Sequence, residues 1–299
     1  MTAPGSIFDL GYQRYVGPRQ GRLAVAISLL LHTLRSAYGI GRGGRAKVVP
    51  FGLLVLAVAP ALLAVGIRAL ATQAGAGDAF DEASPIRHDT YQGLTSTLVM
   101  LFCAAQAPEL LGRDQRYGVL PLYFSRVLTR ADYAVARLAG LFLAVLVVCL
   151  LPQLVLTVGG VLAATDPATG LAGEAGDIPR AVAISVLAAG LLGGVAAVVA
   201  AWTPRRAYAT AGIIAVFIIP PIVVGIVAAR ALGDVAGPLI LASPGDILDG
   251  ANAAIFGTFP DSPAVAAADI DGWIYVVAAA VGVVATLGIV LRRYLRISV

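Results

Sequence analysis

Apolar positions in this chain run on in long blocks instead of alternating with polar ones. Such blocks occupy residues 50–71, 91–107, 138–163, 181–202, 207–229 and 273–291. A bilayer core of about 30 Å needs about 20 apolar residues at about 1.5 Å of helix rise each. Six membrane-spanning helices are therefore predicted, in an all-α integral membrane fold. The second is the weakest, being short and carrying Thr95, Ser96, Thr97 and Gln106. The chain divides into a tail, 1–49, and a membrane domain, 50–299.

Between these blocks the pattern changes. Leu23, Ile27, Leu30 and Leu34 recur at helical spacing, with Arg22, Ser28 and Arg35 elsewhere on the cylinder. An amphipathic helix is predicted there, either lying among lipid headgroups or packed on the ends of the spans; the two readings are compatible. The run is too short to cross and is followed by charge instead of a cleavage site, so it is not expected to be a leader. Before the last span, "SPGDILDGANAAIFG" at 243–257 begins with Ser243 as an N-cap and Pro244 at the first helical position. Its apolar face, Ile247, Leu248, Ala251, Ala254 and Ile255, predicts a re-entrant or surface helix over the outer mouth.

Two spans carry special positions. Gly190 and Gly194 form a GxxxG pair in the fourth, beside a stripe of Ser185, Ala189, Gly193 and Ala197. Small residues let helix backbones approach closely, which places this span at the bundle centre or at a subunit seam. Pro220 and Pro221 should kink the fifth span.

Composition agrees: 59% of residues are apolar and 13% charged, against about 45–50% and about 25% in soluble domains. Charge adds orientation. Of 21 Lys and Arg, 17 lie in the tail to Lys47, in 113–137, at Arg205 and Arg206, and from Arg292 onward. Thirteen of 17 acidic residues lie in the 72–90, 164–180 and 232–271 connections. The positive-inside rule puts both termini in the cytoplasm of a multi-pass cell-membrane protein, consistent with an even number of spans. The pI near 9.3 follows from that topology, and nucleic-acid binding is not needed to explain it.

Several chemistries find no support. Cys103 and Cys149 fall inside spans and read as buried free thiols; with His32 and His88 they make no metal-ligand spacing. "GRGGRAKV" at 41–48 imitates a phosphate loop, but Ala46 and Val48 flank Lys47 where Gly and Ser or Thr are required. The span interiors hold no Asp, Glu, Lys or His, whereas ion-coupled carriers accept a cost of about 2.5–3.5 kcal/mol to keep such groups at mid-membrane. Arg68 and Arg230, near helix ends, are expected to snorkel. No HExxH, GxSxG or paired carboxylates occur in a span, so no enzyme is expected and any energy source belongs to another polypeptide.

The polar segment 112–137, "GRDQRYGVLPLYFSRVLTRADYAVAR", joins the second and third spans. Thr129 and Asp132 give a capping-box start to a helix, and Gly118 and Pro121 break the chain before it. Arg113, Arg116, Arg126 and Arg130 could meet carboxylates; Tyr117, Tyr123 and Phe124 could enter an apolar cleft. Arginine and aromatic side chains are common interface anchors. A basic loop resting on phospholipid heads would also explain the arginines.

This segment resembles the first cytoplasmic loop of ABC-2 type exporter permeases. Asp114, Arg116, Gly118, Leu120, Ser125, Arg126, Thr129, Arg130 and Tyr133 occupy the places of that family's motif, while Val127 replaces its Pro and Arg137 its Lys. "GYQRYVGPRQGR", "GRGGRAK", "TPRRAYATAGI" and "SPGDILDG" extend the likeness to an actinobacterial-type permease over nearly the whole chain. The resemblance implies six spans, an N-terminal interfacial helix and a coupling helix in the 112–137 loop. It also implies two permease subunits, in a homo- or heterodimer, working with cytosolic ABC ATPase subunits that hold ATP and Mg. No cofactor is expected in this chain itself. Docking would use Arg113, Asp114, Arg116, Tyr117, Tyr123, Phe124, Arg126, Thr129, Arg130, Asp132 and Tyr133. Thr95, Thr97, Gln106 and Thr210 are candidates for lining a substrate path, or for hydrogen bonds within and between helices. A hydrophobic substrate (lipid, drug-like compound or peptide) is expected. The alternative is a membrane scaffold or sensor that recruits a non-ATPase partner through the same loop.

Overall fold

A computed structural model describes Gly17 and residues 21–125, 128–164, 166–229 and 233–297. The described residues form helices and connecting turns, with no strand among them. In chain order the helices are α1 (Arg22–Ala37), α2 (Arg45–Gln73), α3 (Gly77–Ala83), α4 (His88–Leu110), α5 (Gly112–Arg116), α6 (Leu120–Phe124) and α7 (Arg130–Ala163). There follow α8 (Pro167–Glu174), α9 (Asp177–Trp202), α10 (Arg206–Ala229), α11 (Gly233–Ile240), α12 (Pro244–Phe256), α13 (Pro263–Ala267) and α14 (Gly272–Leu295). Six of them, α2, α4, α7, α9, α10 and α14, are long and apolar enough to cross a membrane.

Helices α7 and α9 form the axis of the bundle. Helix α7 packs against α1, α2, α4, α8, α9 and α14, and α9 against α4, α7, α10, α12 and α14. The small-residue stripe explains the position of α9: Ser185, Ala189, Gly190, Gly193, Gly194 and Ala197 are all buried. A Cβ on Gly190 would stand 2.8 Å from Val283, and one on Gly194 would collide with the hydroxyl of Thr286. Both neighbours lie on α14, and Gly193 faces Val145 of α7. Backbone contact this close maximises dispersion between helices, where apolar burial alone gives no preference over lipid. The stripe is used inside the chain, in the contacts of α9 with α14 and α7.

The second span, weakest in sequence, is among the most buried, more than half of its most apolar stretch being enclosed. Its polar side chains account for both observations: Gln92, Thr95 and Gln106 face the interior. Helix α7 begins two turns earlier than its apolar run because Thr129 and Asp132 form the predicted capping box, Thr129 Oγ1 accepting from Asp132 N at 3.3 Å. Helix α10 passes Pro220 and Pro221 without interruption.

The tail helix corrects one expectation. Helix α1 docks on α7 through Leu29, Thr33, Ser36 and Ala37. Of the predicted apolar face, Leu30 and Leu34 are half-buried while Leu23 and Ile27 stay exposed. The buried stripe is rotated toward small and hydroxyl side chains because a close neighbour, Gly140 of α7, meets Thr33 directly. Helix α12 forms as expected, capped by Ser243 at its start and ending at Gly257 in the left-handed region (φ 73°).

Candidate functional site

At one end of the bundle lie α1, α5, α6, the first turns of α7 and the last turn of α14. The chain leaves α4, turns through α5, reverses at Gly118 (φ +64°), makes the single turn of α6 and enters α7. Beneath this connection is a buried polar clasp. Asp114 Oδ2 accepts from Tyr133 Oη at 2.7 Å and from Nη2 of Arg137, and Arg137 Nη1 donates to Thr33 Oγ1 at 3.2 Å. Asp114, Tyr133, Arg137 and Thr33 are all buried. Tyr133 is the centre of an aromatic group, its ring centroid 5.2 Å from Tyr123, 5.8 Å from Phe124 and 5.5 Å from Tyr294. Tyr294 in turn donates to the carbonyl of Leu111 at 3.1 Å and accepts from Gln115 at 3.0 Å.

Two expectations for the docking face are corrected here. Tyr133 is fully buried in the clasp that holds the loop, and the Asp114 carboxylate, held there by Tyr133 and Arg137, reaches only the wall of the cleft described below. Asp132 is likewise engaged, accepting from Arg22 Nε at 2.6 Å and from the Thr129 backbone at 2.9 Å. Arg130 reaches the Leu295 carbonyl at 3.1 Å. Phe124 packs edge-on against Tyr133. Arg113, Arg116, Tyr117, Leu122 and Thr129 are among the loop residues that remain exposed. Arg126 lies outside the described residues.

A cleft of about 680 Å³ opens beside this surface, between α1, the α1–α2 turn, the end of α4 and the loop. His32, Arg35, Arg42, Arg113 and Arg137 line it against only Glu109 and Asp114, with Tyr117 and Tyr123 at its wall. Burial first, and then the guanidinium groups of Arg137 and Arg42, hold His32 below the usual histidine value, so it is neutral at pH 7. The cleft combines fixed positive charge with aromatic walls, a chemistry suited to an acidic and apolar segment of a partner.

Glu109, Arg22, Arg137 and Tyr294 are the residues that sequence reasoning did not place in the site. Glu109 gathers Arg42 at 3.0 Å, Arg113 at 3.4 Å and Arg206 at 3.7 Å. A signal for it existed: Glu109, Asp114 and Asp132 are the described carboxylates in segments otherwise dominated by arginine, and each is bonded to arginine. The converse holds at the acidic end, where Arg68 pairs with Glu174, Arg87 with Asp89 and Arg180 with Asp177, each at 3.2 Å. Arg68, near the end of α2, is thus ion-paired with the connection that follows α7. Glu174 also meets His88 Nε2 at 3.0 Å, and His88 Nδ1 lies 2.6 Å from Gln153.

The polar residues offered for a substrate path separate cleanly. Thr95 donates to the Tyr91 carbonyl within α4 at 2.9 Å, and Thr210 donates across to Ala104 at 3.1 Å. Gln106 is buried, and Thr97 alone of the four lines a cavity. Cys103 and Cys149 are buried free thiols, and no set of three or more His, Cys, Asp or Glu among the described residues could hold a metal ion.

No protein-family model matches this chain, and no curated protein matches it.

Proposed function

We propose that this chain is the transmembrane permease subunit of an ABC-2 type exporter, driven by a separate cytosolic ATPase that docks on the 112–137 loop. The observation that carries the reading is the division of labour in that loop. Its buried half is locked to the bundle, while Arg113, Arg116 and Tyr117 are left outward beside a basic cleft. A push on α5 and α6 would not be absorbed by a slack connection. It would pass through Asp114 and Tyr133 to α7, through Arg137 to α1, and through Tyr294 to α14, moving three helices together. Breaking a buried, hydrogen-bonded ion pair by removing one partner costs about 3–5 kcal/mol, so the clasp is stiff on the scale of a conformational step. The arginine distribution supports a cytoplasmic position for this end, within reach of an ATP-bearing partner. ATP and Mg would be held by that partner, and a second permease subunit would complete the complex.

Affinity purification of the tagged chain from its native membrane, with ATP hydrolysis assayed in the eluate, tests the reading. A nucleotide-hydrolysing subunit should co-purify and be lost when Arg113 and Arg116 both become Glu. Recovery of a soluble partner without ATPase activity, or of the same ATPase regardless of the two substitutions, would dismiss it.

A further inference from the structure

A second cavity, also of about 680 Å³, lies at the acidic end between α4, α10, α12 and the α12–α13 turn. Its lining is divided by chemistry. One arm is apolar, with Met100, Phe217, Ile218, Pro221 and Ile222; the other carries Gln92, Asp246, Asp249, Asn252 and Asp261. No basic residue lines it among those described. The exposed rims, Leu101, Ile218 and Ile222, are apolar, so the cavity opens toward the side that a bilayer would cover. Its size is that of a site for a small organic molecule (about 300–1,000 Å³).

The acidic arm is assembled and held. Asp249 accepts from the backbone N–H of Asp261 at 3.1 Å and of Ser262 at 2.9 Å. Asp246 Oδ1 accepts from the Ser262 hydroxyl at 3.1 Å. Asp261 lays its carboxylate on Gly93 of α4, at a spot where any Cβ would collide with it. Three carboxylates are thereby fixed around one space whose described lining holds no arginine or lysine.

A second observation points to a ligand. Asp246, Asn252 and Gln92 are only 5–6% exposed, and each retains one buried polar atom with no hydrogen-bond partner: Asp246 Oδ2, Asn252 Oδ1 and Gln92 Nε2. An unsatisfied buried polar atom costs about 1–3 kcal/mol. Two of the three, Asp246 Oδ2 and Asn252 Oδ1, are acceptors, and both would take a hydrogen-bond donor. A divalent metal would be held by a ligand set that is absent among the described residues. A donor with positive charge and an apolar remainder matches both arms.

We infer that this cavity binds an amphiphilic amine, its protonated ammonium group among Asp246, Asp249 and Asp261 and its hydrocarbon part against Phe217, Ile218 and Ile222. Burial, joined by repulsion from Asp261 and Asp246, holds the Asp249 carboxyl above its usual value despite the two backbone N–H bonds, and a bound cation would relieve that repulsion. Calling the amine a transported substrate rests on the exporter reading; its binding does not.

Equilibrium dialysis of the chain in nanodiscs, with radiolabelled decylammonium and empty nanodiscs subtracted, is the test. Saturable binding of one molecule per chain is expected, displaced by unlabelled decylammonium and not by decanoate. Asp261→Asn, which removes charge without removing an internal hydrogen bond of the fold, should weaken it at least tenfold, and Asp249→Asn should do the same. Non-saturable uptake, equal displacement by decanoate, or unchanged affinity in both variants overturns the inference. Saturable binding in a chain that recovers no ATPase keeps the amine site and removes the exporter; an ATPase without amine binding does the reverse.

Discussion

Asp114 and Arg137 are joined side chain to side chain in a buried position, although α5 holds one and α7 the other. The pair closes the base of the loop, with Tyr133 donating to Asp114 and Thr33 accepting from Arg137, while the buried Nε of Arg137 has no hydrogen-bond partner. Removal of either member leaves the other charge buried and alone. Asp114→Ala and Arg137→Ala should each destabilise the detergent-solubilised protein by about 3–5 kcal/mol, and the double substitution by clearly less than their sum. Tyr133→Phe, which deletes one hydrogen bond and keeps the ring, should cost only about 1 kcal/mol. Unfolding curves for the four variants decide the matter; additive losses would mean that the pair contributes nothing as a pair.

The α9–α14 contact gives a second prediction. Gly194→Val should cost about 1–3 kcal/mol, because the new side chain must displace the Thr286 side chain of α14. Gly66→Ala in α2 is the control: nothing stands within 4 Å of the added Cβ, and alanine is the better helix former by up to about 1 kcal/mol. The first variant should melt earlier than the parent protein and the second no earlier.

The spans were legible because hydrocarbon imposes a single rule, that about 20 consecutive side chains be apolar. The cap at Thr129, the helix started by Ser243 and the buried small-residue stripe of α9 were legible for the same reason, each being a local requirement written in adjacent residues. The clasp was not. Asp114 and Arg137 read as two members of a charged loop, since nothing in the local sequence says which arginine of the five will turn inward. Tyr133 likewise read as a surface aromatic, because its partners Tyr123 and Tyr294 come from separate segments. The one available clue was the sign imbalance: Glu109 and Asp114 amid arginines, and Arg68 amid acids, are the charges that found partners inside the fold.

Glu174 provides a pH-dependent prediction. Burial would raise its carboxyl, but hydrogen bonds from His88 and Arg68 outweigh burial and hold it below its ordinary value. A depressed carboxyl contributes stability above the unfolded-state value and loses it as pH falls through the folded-state value. The advantage of the parent protein over Glu174→Gln should therefore shrink as pH falls below the ordinary carboxylate range. Melting temperatures of both proteins between pH 3 and pH 7 measure it. A difference that does not narrow in acid would mean that the carboxylate charge is not what stabilises the α7–α8 connection.

The orientation of the loop is open to a direct chemical measurement. Cys103 and Cys149 are buried, so they should not react with a membrane-impermeant maleimide in sealed cells or vesicles. Against that silent background, Tyr117→Cys at the basic end and Phe259→Cys at the acidic end introduce single exposed thiols, Phe259 being 94% exposed. Intact cells should label the cysteine at 259 and leave the one at 117 untouched, while inverted vesicles should show the opposite pattern. The arginine distribution supports this assignment, and the proposed docking of an ATP-driven partner on Arg113 and Arg116 depends on it. Labelling of position 117 from outside intact cells would place the clasp, the basic cleft and the outward arginines beyond the reach of any cytosolic motor.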